Sequence, residues 1–139
     1  MFRKAVVLVG GPATRLRPVT KDVPKCMVNI AGKPMLEWII SWLKESNVQS
    51  IVLGVAYKRE RIIEHFRNGE SYDVEIKYSV HEVDGGTGQG FRLAIERHVD
   101  EENFFALNGD QITDLRLRGL ALFHLKNRPL VSIAVTRPR

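Results

Sequence analysis

A single cysteine, Cys26, stands among the 139 residues, so the chain can form no internal disulfide and no cysteine-rich zinc site. Long apolar runs are missing as well; none approaches the ~20 residues of a membrane-spanning helix. The amino terminus lacks a signal-peptide pattern, and the expectation is a cytoplasmic protein with no membrane contact. Internal repeats, low-complexity tracts and linkers are absent too, which leaves one domain over residues 1–139 as the expected organisation. The net charge of +5 suits either a nucleic-acid binder or an enzyme of phosphorylated substrates. No aromatic-rich strand or recognition helix accompanies that charge, so no nucleic-acid partner is expected.

What is present is organised around Gly10-Gly11-Pro12-Ala13-Thr14-Arg15-Leu16-Arg17-Pro18-Val19-Thr20 and the Pro24-Lys25 that follows. This stretch leaves Ala5–Val9, a short, β-branched apolar run that reads as a buried strand. Two glycines at the strand's end allow a tight bend and expose backbone N–H groups. Arg15, Arg17, Lys21 and Lys25 add cations to the same loop, so donors and charges can converge on a phosphate chain. A plain turn with solvated basic side chains is the alternative.

The rest alternates helix and strand. Pro34 opens a helix running to about Ser46, with Met35, Leu36, Ile39, Ile40 and Leu43 as a core stripe. Trp38 and Trp42, on a neighbouring face, either finish the core or meet another subunit or further chain. Strand Ser50–Val55, a charged helix Arg59–Phe66 and a half-buried strand Val74–Val80 nearer the sheet edge come next. The glycine-rich run from His81 to Gly90 then feeds a helix through Val99. Strand Asn103–Leu107 ends at Asn108-Gly109-Asp110, where a carboxylate at the carboxyl end of a central strand can face the ligand crevice of an open α/β sheet. Asp114 reads as the N-cap of a helix over 115–126, with Leu117, Leu120, Ala121 and Leu125 facing the sheet. A last strand spans Leu130–Thr136. His65, His98 and His124 read as surface residues and Cys26 as a spacer in the loop. Five strands and four helices predict a three-layer, mostly parallel α/β sheet of Rossmann-like type.

GGPATRLRPVTKDVPKCM resembles the signature loop of the sugar-1-phosphate nucleotidyltransferases (NDP-sugar pyrophosphorylases), GGxGTRLxPLTxxxPKxM. It is neither a P-loop nor a dinucleotide-binding GxGxxG, because no Gly-Lys-Ser/Thr closes it and a long loop follows. Ala13 departs from the pattern, standing where the family has glycine. If that backbone needs positive φ, alanine costs ~1 kcal/mol and its methyl crowds the phosphates. Glu82 with Gly86-Thr87-Gly88-Gln89-Gly90 is similar to the family's E-x-P-L-G-T-x-G-A stretch, which lines the nucleoside and sugar pocket; Asp84 and Gly85 replace its Pro-Leu. Asn108-Gly109-Asp110 matches the family's NGD in the same order.

The resemblance implies transfer of a nucleotidyl group from a nucleoside triphosphate to a sugar 1-phosphate. Val9, Gly10, Gly11, Pro12, Ala13, Thr14, Glu82, Gly86, Thr87, Asn108 and Gly109 would bind the nucleotide. Arg15 would hold the triphosphate, Lys25 would neutralise charge near the reacting phosphates, and Asp110 would hold Mg²⁺. The resemblance covers the chain but only about the first half of the family's catalytic domain. A later Glu-Lys-Pro motif and a second metal-sharing aspartate have no counterpart here. The family also inserts a later antiparallel strand between the fourth and fifth strands named above; without it those two are expected to pair directly, in the order 3-2-1-4-5. A non-catalytic nucleotide-binding module is the alternative, and a homodimer is an open possibility.

Overall fold

The structure is a computed structural model and describes residues 2–137. Its sheet has four parallel strands in the order β5-β4-β1-β6. They are β1 (Lys4–Leu8), β4 (Ser50–Val55), β5 (Glu75–Val80) and β6 (Phe105–Asn108). Side chains alternate across the sheet, as the period of two demands. Ala5, Val7, Ile51, Leu53 and Ile76 point into a large core under α1 (Met35–Glu45), α2 (Arg59–Phe66) and α4 (Leu117–Asn127). Val6 and Val52 point the other way, against Ala94 of α3 (Gly86–His98). The outcome is the predicted three-layer, mostly parallel α/β arrangement.

The expected stripe of α1 is buried at Leu36, Ile39, Ile40 and Leu43. Ahead of it, β2 (Asn29–Ile30) and β3 (Lys33–Pro34) form a small antiparallel hairpin whose turn residues, Ala31 and Gly32, both have positive φ. The tryptophans serve the chain itself. Trp38 donates its indole N–H to Ile30 O under the Lys33 ammonium, and Trp42 donates to Leu115 O at 3.0 Å, tying α1 to the entry of α4.

Three expectations fail around α4. The helix begins at Leu117 behind Arg116, and Asp114, three residues ahead of it, is too early in the chain to cap its first amides. Thr113 Oγ1 accepts the Leu115 N–H instead. Leu125 does not reach the core and is 46% exposed, whereas Leu117 is buried. Among the described residues the fifth strand is not formed: residues 131–137 have no regular secondary structure and no ladder partner, so the observed order stops at 3-2-1-4. Ser132 is bound to a ring nitrogen of His124 at 2.9 Å, which holds the segment beside α4 instead of on β6. Leu130, Ile133 and Val135 consequently stand open to solvent.

Candidate functional site

In a sheet of order β5-β4-β1-β6 the chain builds outward on one side of β1, then crosses to the other side to add β6. Open α/β sheets bind ligands at such a switch point, outside the carboxyl ends of the strands. β1 and β6 are parallel with Leu8 opposite Asn108, so the glycine loop and the Asn108-Gly109-Asp110 turn leave the sheet side by side. A hydrogen bond from Gly109 N–H to Leu8 O, 2.8 Å, fixes the turn on β1. Gly109 must be glycine there: a Cβ would lie 2.3 Å from Val9 Cγ1 and 3.0 Å from Leu8 O.

The loop runs over a cleft of ≈ 810 Å³. Val9 through Leu16, Lys25 and Cys26 line one side, Asn108 through Asp110 another, and Gly86 and Thr87 a third. Of the residues expected to bind nucleotide or metal, Glu82 stays outside this lining, and so do Arg17 and Lys21, the other two cations of the loop. Backbone at the β5 exit is extended (Glu82 φ −73°, ψ 143°), so alternate side chains diverge. His81 and Val83 line both the cleft and a second hollow of ≈ 480 Å³ beside it, whereas Glu82 lines only the second, with Arg59, Gln89 and Arg97.

Ala13 occupies the left-handed region, φ 46° and ψ 46°, ahead of a 3-10 turn over Thr14–Leu16. The backbone there does demand the conformation in which glycine is at ease, and alanine bears a strain of ~1 kcal/mol. Fully buried Thr20 holds the loop in this shape by donating to Ala13 O at 2.8 Å. On the opposite wall, α3 starts at Gly86, and no atom would meet a Cβ at Gly86 or Gly88. Unpaired amides at a helix's first turn, with the positive end of its dipole, favour an anion.

Lys25 Nζ donates to Asp110 Oδ2 at 2.9 Å, joining the loop to the β6 turn across the cleft. Both side chains are partly exposed, at 34% and 42%, so the pair is solvated and worth no more than ~1 kcal/mol. An incoming polyanion or cation can separate them. Cys26 is buried beneath, and burial pushes its thiol up to about 12; it is a neutral packing group at physiological pH, as the sequence led us to expect. Among the described residues no cluster of three or more His, Cys, Asp or Glu could hold a metal, and Asp110 is the lone carboxylate in the cleft lining.

His81 escaped the sequence reading. Its Nδ1 lies 3.0 Å from Glu82 O and donates to that carbonyl, while Nε2 is buried without a partner among the described residues. Its ring fills space left by glycines: a Cβ on Gly10 would sit 2.6 Å from Nε2, and one on Gly90 3.3 Å. The signal was there only as two glycines eighty positions apart.

The family described as Nucleotidyl transferase has a sequence model that matches residues 4–138. D-glycero-alpha-D-manno-heptose 1-phosphate guanylyltransferase of Campylobacter jejuni is 38% identical over 119 residues, 86% of this chain and 52% of its own length. Mannose-1-phosphate guanyltransferase of Yarrowia lipolytica is 40% identical over 136 residues, 96% of this chain and 38% of its own. Among solved structures, HddC from Yersinia pseudotuberculosis complexed with GMP-PN superposes with a TM-score of 0.79 at 30% identity, over 90% of this chain and 55% of that one. The chain thus spans about half the length of these relatives. Within that span, the match from first strand to last described helix, the loop at the switch point and the shared sheet place the chain in the nucleotidyl transferase family.

Proposed function

We propose that the cleft receives the triphosphate of GTP for guanylyl transfer to a sugar 1-phosphate of the manno class. The observation that carries this reading is the convergence of the Gly10–Ala13 backbone, Arg15, Lys25 and Asp110 on one cleft at the switch point. Guanine and the sugar class are taken from relatives named as mannose and manno-heptose 1-phosphate guanylyltransferases.

In the reaction a phosphate oxygen of the sugar 1-phosphate attacks the α-phosphorus of GTP. A new P–O bond forms, the bond to the β-phosphate breaks, and pyrophosphate departs with the electron pair. The attacking oxygen is already anionic, so no general base is required. Loop amides and Arg15 hold the β- and γ-phosphates, and the Lys25 ammonium offsets charge gathering on the leaving group. Asp110 would hold Mg²⁺, an ion that usually keeps several waters and takes only one or two protein carboxylates; it would supply charge neutralisation at the phosphates. One exposed carboxylate beside a phosphate loop fits that need.

A second reading, nucleotide binding without turnover, is favoured by Ala13, whose methyl stands in the cleft wall where the family pattern has glycine. Pyrophosphate release separates the two when the chain is mixed with Mg²⁺, a panel of triphosphates and a panel of sugar 1-phosphates. Turnover with GTP that Asp110→Ala abolishes supports the transferase. Saturable GTP binding with no pyrophosphate supports the binding module, and binding unaltered in Asp110→Ala refutes the metal role.

A further inference from the structure

The turn between β4 and α2 lies behind the glycine loop, and it holds a lysine in an unfavourable conformation. Lys58 precedes α2 with φ 49° and ψ 36°, the left-handed region that a side chain with a Cβ seldom adopts. Such a conformation persists where neighbouring contacts impose it. Two contacts do so here, and both go to the loop. Tyr57 N–H donates to Gly10 O at 3.2 Å, and the Lys58 ammonium donates to Lys21 O.

Those two carbonyls stand at opposite ends of the loop. Gly10 is where it leaves β1, and Lys21 follows the span that carries Arg15 and Arg17. Lys58 does not line the cleft, so it cannot act by touching a ligand there. We propose that Lys58 is a positioning residue for the nucleotide: together with the Tyr57 amide it braces the loop from outside and keeps its amides and Arg15 set over the cleft before a ligand arrives. A loop already ordered gives up less freedom on binding, and the gain appears as affinity. The inference rests on the reading of the cleft as a triphosphate site.

The left-handed backbone makes the test discriminating, because glycine relieves the strain and removes the ammonium at once. Lys58→Gly should weaken Mg·GTP binding by ~5–20-fold in calorimetry, the loss of one charge-assisted hydrogen bond. Its Tm should stay within ~3 °C of wild type or rise, since relief of strain offsets the added freedom of the unfolded chain. Lys58→Met should weaken binding similarly, Lys58→Arg should restore it, and amides of residues 11–21 should exchange faster in the glycine variant.

Unchanged affinity in both Lys58→Gly and Lys58→Met overturns the brace. So does an affinity loss that merely follows a fall in Tm, which marks a structural residue. If the wild-type chain binds no GTP, exchange of the ligand-free loop decides alone. Faster exchange in Lys58→Gly upholds the brace and removes only the nucleotide reading, and unchanged exchange overturns the brace.

Discussion

At the scale of single residues, Ala13 poses the sharpest question. Its left-handed backbone and its place in the cleft wall put a methyl group where the family resemblance has none. Ala13→Gly removes ~1 kcal/mol of strain but returns ~0.4–1 kcal/mol of freedom to the unfolded chain. Stability should therefore scarcely change, with Tm within ~3 °C. Nucleotide affinity should rise, because the amides can approach the phosphates more closely; equal affinity in a calorimetric titration would acquit the methyl. Ala13, Lys25 and Asp110 were legible from residue order, since glycine-loop and Asn-Gly-Asp patterns are local. His81 and Lys58 were not. A lone histidine after a strand has no spacing partner, and the glycines that admit its ring, Gly10 and Gly90, meet it only in three dimensions. Nothing in a Tyr-Lys dipeptide announces positive φ.

Elements were legible where one periodicity dominated. The helix read at Arg59–Phe66 from charges on successive turns, Glu60–Glu64 and Arg61–His65, is α2 with the same bounds, and it is Ile62 and Phe66, one turn apart, that it buries. Segment 130–136 misled for the converse reason. Its apolar, β-branched composition satisfies the local rules for a strand, but a strand exists only with a ladder beside it. Here the neighbouring edge, β6, is four residues long and the segment is tied to α4. Leu130 and Val135 are then 101% and 88% exposed, and β6 is unpaired on its outer side among the described residues, two features that each invite association between molecules. Ile133→Lys should lower the light scattering of concentrated solutions without moving Tm by more than ~2 °C, as the side chain is already in water. Scattering unchanged by the lysine would show that the segment is not the adhesive surface.

For the molecule as a whole, stability should have two pH limbs. The Lys44 ammonium holds Asp73, the Ser50 hydroxyl holds Glu75 and the Lys4 ammonium holds Asp100 below the usual carboxylate range. Their contribution is in place above the ordinary carboxylate pKa and is lost as pH falls through the lowered values. Exposure keeps it small. At the other end, burial pushes the Cys26 thiol up to about 12, and likewise the phenols of Tyr72, beside the Glu37 carboxylate, and Tyr78. Stability from these groups is whole below the ordinary thiol value of 9.0 and falls toward about 12, because the unfolded chain ionises first. Urea midpoints at pH 3, 7 and 10.5 should peak at neutrality, and Cys26→Ala should soften the alkaline fall; a variant as alkali-sensitive as wild type would refute the thiol's part. The order in which the parts appear along the chain has its own outcome. All four strands of the parallel sheet, the glycine loop and the Lys25–Asp110 contact are complete by residue 110. Synthesis runs from the amino terminus, so every residue of the candidate site is polymerised before α4, which adds Leu117 to the core and no residue to the cleft.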